Sequence, residues 1–97
     1  MAYATERALE ANLEPSRVLA VITCESQWAP DAIGDGGDSY GLVQINMPAW
    51  GNVISVQQAT DPFFAIDFLV SKMSTGQGEL WTCFARTAER GGGSYVV

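Results

Sequence analysis

Apolar residues in this chain recur mostly at intervals of three and four, the spacing of a helix face, and the stretches that break the pattern are rich in Gly, Asp and Pro. From Ala2 to Leu13 the stripe Tyr3, Leu9 and Leu13 stands opposite Glu6, Arg7 and Glu10, which predicts an amphipathic helix ended by Asn12-Leu13-Glu14-Pro15. Pro15 suits the first position of a second helix, where its fixed φ is already helical and no N–H donor is needed. Val18, Ile22 and Glu25 then fall at i, i+4 and i+7, so a glutamate shares a face with core residues. Ala29-Pro30 stops this helix.

Asp31 to Ser39, rich in Gly and Asp, predicts a loop or the tip of a hairpin. Tyr40 to Ile45 reads as a brief extended segment or the start of a further helix, and Met47-Pro48-Ala49-Trp50 as a short helical turn ending near Gly51-Asn52. Asp61 as cap and Pro62 in the first turn begin the most hydrophobic helix, Asp61 to Ser74. Phe63, Ile66, Val70 and Met73 form its stripe, Phe64, Phe68 and Leu69 widen it, and the helix is expected to be central. Gly76-Gln77-Gly78 breaks it before a last helix predicted over Glu79 to Arg90, carrying Leu80, Trp81, Cys83 and Phe84. Gly91-Gly92-Gly93 ends the pattern, and Ser94 to Val97 reads as a frayed tail. The expected architecture is mainly α, one domain over residues 1–97, with a loop or small hairpin beside the second helix.

Composition narrows the chemistry. With 47% apolar residues spread over 97 positions the chain suits one compact core, and its longest apolar runs are far shorter than the roughly 20 residues of a membrane span. Met1-Ala2-Tyr3 leads straight into the charged helical pattern, so no signal peptide is expected, and a role at the cell wall would need another delivery route. The net charge is −6, and the five basic residues are scattered, which argues against nucleic acid or an anionic membrane as partner. The absence of histidine excludes a Ser/His/Asp triad, a Cys/His pair and a His-ligated metal. Carboxylates must carry any acid or base chemistry, and no metal or cofactor is expected. Cys24 and Cys83 read as a disulfide closing a loop of about 60 residues, worth about 4 kcal/mol in the chain-entropy account, with two buried thiols as the alternative.

Glu25-Ser26 at the end of a helix, the Asp/Gly loop, and then Ser39-Tyr40-Gly41-Leu42-Val43-Gln44-Ile45-Asn46 together resemble the lysozyme-like superfamily, and most of all the catalytic domains of lytic transglycosylases. Glu-Ser alone is a weak signal. Followed by the second motif it is specific, because both halves build one cleft. The resemblance extends from Val18 to about Phe84 and implies a mainly helical, lysozyme-like domain that cuts the β-1,4 bond between N-acetylmuramic acid and N-acetylglucosamine in peptidoglycan. It implies Glu25 as the catalytic acid, Ser39 as the serine near the site, Gln44 as a cleft-lining polar residue, and Gly41 as a position where backbone nears the sugar. Two departures stand beside it. Where transglycosylases usually carry Ala-Tyr-Asn-x-Gly, this chain has Trp81-Thr82-Cys83-Phe84-Ala85-Arg86, without a tyrosine. Where animal-type lysozymes have Asp before Tyr-Gly, it has Ser39, so that position offers no second carboxylate for a retaining mechanism.

The expected site is therefore Glu25 as general acid and base, made useful by burial that favours a protonated carboxyl. Ser26, Ser39, Tyr40, Gly41, Gln44, Asn46 and Trp50 are candidates for contacting the glycan strand. Ser26 equally suits a local backbone bond, Gln44 equally suits a bond within the core, and tryptophans in so small a chain often pack inside. Asp35 and Asp38 are turn residues by composition, and are the candidates for holding a water in a hydrolytic alternative. A third reading, from another class, is a wall-binding or phage structural module without catalysis. The chain is expected to be a monomer acting on the cell wall, whether outside the cell, in the periplasm or delivered by phage.

Overall fold

The computed structural model describes residues 2–81 and 83. Helix α1 (Ala2–Glu10) leads through Leu13 into α2 (Pro15–Ser26), with Pro15 at its start and Glu14 as cap. A three-stranded antiparallel sheet follows, β1 (Ile33–Gly34), β2 (Ser39–Tyr40) and β3 (Ile45–Asn46), in that spatial order. Gly34 pairs with Ser39, and Ser39 with Asn46, so one register line crosses the sheet through the serine. Two short helices, α3 (Met47–Trp50) and α4 (Val56–Ala59), precede the long α5 (Pro62–Ser74), and a 3₁₀ turn over Gly78–Leu80 follows. This is a mainly helical architecture with a small hairpin beside the second helix, as the sequence pattern predicts.

The helix starts follow local chemistry. Asp61 accepts from the N–H groups of Phe63 and Phe64 with Pro62 behind it, and α4 opens with a reciprocal capping box between Ser55 and Gln58. Asn46 caps α3 by accepting from the Ala49 N–H at 3.0 Å. Val18, Val21 and Ile22 from α2 meet Ile66, Leu69, Val70 and Met73 from α5, Ala4 and Ala8 from α1, and Leu42, Val43 and Ile45 from the sheet in a single cluster.

Several sequence expectations shift. The inward face of α1 is made by Ala4 and Ala8, while Leu9 is 56% exposed, because the small residues let α1 lie close against its neighbours. The helix stops at Glu10 because Asn12 takes a left-handed conformation at φ 59°. On α5 the inward positions are Ala65, Ile66, Leu69, Val70 and Met73. Phe63 stays 58% exposed in the first turn, its ring edge-on to Tyr3 at 4.9 Å. Helix α4 was not foreseen, although Ser55-x-x-Gln58 is a capping-box signature. Of the expected last helix, Glu79 and Leu80 fall in the 3₁₀ turn, and the rest, apart from Trp81 and Cys83, lies outside the described residues, as do the glycine run and the tail.

Candidate active site

Glu25 stands in the last turn of α2. The helix ends there because Gln27 and Trp28 both adopt left-handed backbone, at φ 52° and 67°, and turn the chain out of the helical path. Ser26 ties this corner: its hydroxyl donates to the Ile22 carbonyl at 3.3 Å and accepts from the Trp28 N–H at 3.2 Å. The Trp28 indole donates to Thr23 Oγ1 at 2.9 Å. Ser26 is thus engaged by backbone at the helix end. Glu25 itself is half-buried, and its Oε2 accepts from the Cys83 backbone N–H at 3.4 Å.

The second motif forms the opposite wall. Ser39 is buried on the middle strand, and its hydroxyl donates to Asp35 Oδ2 at 2.6 Å. Asp35 holds a left-handed φ of 52° at the hairpin tip, so its carboxylate turns back onto the strand that follows. Gln44 also takes a left-handed φ, 54°, and spends both amide N–H donors internally, on the carbonyls of Ala32 at 3.2 Å and Gly41 at 3.0 Å. It clips the β2–β3 turn to the segment leading into β1. A neutral two-donor side chain suits two carbonyl acceptors, where a carboxylate would repel both.

Between these walls lies a cleft of about 290 Å³. Glu25, Asp35, Ser39, Gln44 and Asn46 give it polar groups, and Trp50, Phe68 and Trp81 form its aromatic side. Trp50 meets Phe68 edge-on at 5.2 Å, and Phe68 meets Trp81 at 5.9 Å, so the three rings brace one another. Trp81 is fixed further by its indole, which donates to the Val43 carbonyl at 2.6 Å in the interior. The Lys72 ammonium stands 4.9 Å from the Trp50 ring and 5.6 Å from Phe68, a cation–π contact against this aromatic side.

Glu25, Ser39, Gln44, Asn46, Trp50 and Asp35 therefore meet around one space, as the motif spacing implies. Tyr40, Gly41, Ser26 and Asp38 lie outside its lining. Gly41 answers a different need: at φ 90° its backbone passes so close to the Ala59 carbonyl oxygen that any Cβ would collide with it. Asp38 is exposed, and its backbone carbonyl accepts from the Met47 N–H at 2.7 Å, holding β3 to the hairpin. Phe68 and Leu80 join the cleft without having been singled out as site residues. Phe68 carried no separate signal, since an aromatic at helical spacing reads as core, and half of Leu80 is exposed at the rim.

Cys24 and Cys83 form a disulfide across a sequence separation of 59, with Cα atoms 5.9 Å apart. It ties the helix carrying Glu25 to the segment that also carries Trp81. Among the described residues no helix is long and apolar enough to cross a membrane. None of the curated proteins or solved structures compared with the chain matches it. The family model described as the transglycosylase SLT domain matches residues 2–85. This chain belongs to the transglycosylase SLT domain family, a lysozyme-like group of peptidoglycan glycosidases.

Proposed function

We propose that the chain is a lytic transglycosylase in which Glu25 alone serves as acid and then base. The observation that carries this is the convergence of a half-buried glutamate at a helix end with residues of the Ser39–Asn46 motif around one cleft of about 290 Å³. Glu25 in its acid form donates its proton to the glycosidic oxygen as the bond to C1 of the muramyl sugar breaks and positive charge develops there. The resulting carboxylate then takes the proton of the same sugar's 6-hydroxyl, whose oxygen bonds to C1 and closes the 1,6-anhydro ring. No water is consumed, and Glu25 ends protonated as it began. Trp50, Phe68 and Trp81 offer apolar faces to the sugars, and Asn46 and Ser39 offer polar contacts. The hydrophobic cluster that the described residues form supports reading residues 1–97 as one domain, and the substrate class supports a place of action at the cell wall.

A hydrolytic reading has one specific observation in its favour. Asp35 lines the same cleft with one oxygen held by Ser39, which leaves its other oxygen available to orient a water in place of the 6-hydroxyl. Asp38 has no comparable position.

Digestion of purified peptidoglycan by the wild type and by Glu25→Gln, with the soluble muropeptides read by mass, decides between these. Anhydro products, lighter by one water and absent with the variant, are the expected result. Reducing-end products would instead assign hydrolysis, with Asp35→Asn as the next variant. No product from either protein would mean a wall-binding module.

A further inference from the structure

The disulfide joins two residues that both adjoin the same carboxylate. Cys24 directly precedes Glu25 in α2, and Cys83, its bonded partner, aims its backbone N–H at Glu25 Oε2 from 3.4 Å. We propose that Cys83 is a positioning residue for the reaction: the disulfide clamps its backbone amide onto Glu25 and so makes turnover depend on the oxidised state. The inference rests on Glu25 being the reacting carboxylate.

A glutamate at a helix end has three side-chain torsions and can swing between cleft and solvent. The Cys83 amide on Oε2 restricts that swing. At 3.4 Å the contact is at the long limit for a hydrogen bond, so its persistence depends on what holds the donor in place. Among the described residues, two anchors hold this segment. Trp81 is locked to Val43 by its indole, and Cys83 is locked to α2 by the disulfide. Trp81 shapes the cleft wall and Cys83 reaches the carboxylate, so breaking the disulfide leaves the first anchor and loses the second. Turnover should fall while binding of the glycan persists. Reduction by a dithiol breaks the one Sγ–Sγ bond, yields two thiols, and converts the dithiol to its own cyclic disulfide. A reducing compartment would therefore keep the protein quiet, and an oxidising one, where peptidoglycan lies, would activate it.

The chain has two cysteines, so selective ¹⁵N-cysteine labelling gives two backbone amide signals. In the oxidised wild type the Cys83 amide signal should move as Glu25 titrates, and this response should vanish in Glu25→Gln. Asp35, the other ionisable group lining the cleft among the described residues, serves as control: Asp35→Asn should leave the response. With dithiothreitol, kcat on peptidoglycan should fall about five- to ten-fold with KM within about two-fold, and reoxidation should restore it. Cys24→Ala/Cys83→Ala, assayed below its melting midpoint, should reproduce the reduced protein. A Cys83 signal indifferent to Glu25→Gln, or kcat unchanged in both the reduced protein and the double variant, would overturn the proposal. A wild type that cleaves nothing would overturn the proposed function instead, while the amide experiment still reports on the contact.

Discussion

The turn between β2 and β3 shows how single residues set the site. Gly41 combines a left-handed φ of 90° with a backbone carbonyl where its Cβ would be, so Gly41→Ala meets both strain and a collision that no side-chain motion relieves. It should destabilise the fold by about 2–3 kcal/mol in urea titration. Gly34 has an ordinary extended φ of −132°, and a Cβ there would meet only the Gln44 amide, the far end of a flexible side chain. Gly34→Ala should therefore cost about 1–2 kcal/mol, from the two bonds that Gln44 loses as it shifts, and lower activity by displacing Gln44 from the cleft wall. Equal losses of stability for the two variants would contradict this distinction. The requirement for Gly41 was legible in the sequence, but its cause was not: the motif points to the sugar, whereas the packing against Ala59 comes from a residue 18 positions later in a helix that the apolar pattern did not reveal.

Among the elements, α5 is the one whose limits the sequence marks most clearly, because Asp61-Pro62 specifies a helix start through local hydrogen bonds and a fixed φ. Asp61→Ala should remove the cap on Phe63 and Phe64 and lower stability by about 1 kcal/mol, read from the thermal midpoint. The faces of the helices were less legible. Leu9 and Phe63 sit at helical spacing yet remain exposed, since spacing defines a stripe and only the neighbouring element decides which part of it is covered. Tyr3, Arg7 and Asp67 join α1 to α5, with the Tyr3 hydroxyl and Arg7 Nε donating to Asp67 Oδ1 at 2.7 and 2.8 Å. The bond to Asp67 holds the Tyr3 phenol above its ordinary value of 10.0. A folded value above the unfolded one means that this contribution is fully present below the unfolded phenol pKa and is lost as pH rises through the folded one. Melting curves of the wild type should therefore lose stability above about pH 10 more steeply than those of Tyr3→Phe. Parallel profiles would remove the assignment.

At the scale of the molecule, the disulfide closes 59 residues of sequence, and its reduction should lower stability by about 4 kcal/mol in the chain-entropy account, measured by urea unfolding with and without dithiothreitol. The net charge of −6 opposes approach to an anionic wall, so peptidoglycan turnover should rise as salt screens the repulsion; a flat or falling profile would exclude that effect. By itself the sequence determined the helical class, the starts of α2 and α5, the turn at Met47–Trp50 and the two motifs of the cleft. Each of these depends on residues near one another in the chain, where caps, fixed φ angles and periodicity act. The structure joins Cys24 and Cys83 in the disulfide that the sequence favours over two buried thiols, while tertiary structure alone decided that Asp35 rather than Asp38 reaches Ser39, and that Phe68 and Trp81 brace the aromatic side of the cleft. Those contacts join separate elements or depend on the backbone conformation of a turn, and composition and spacing carry no information on how the elements dock. A sequence can therefore single out Glu25 as the carboxylate of the proposed reaction, while only the packed fold shows the amide and the walls around it.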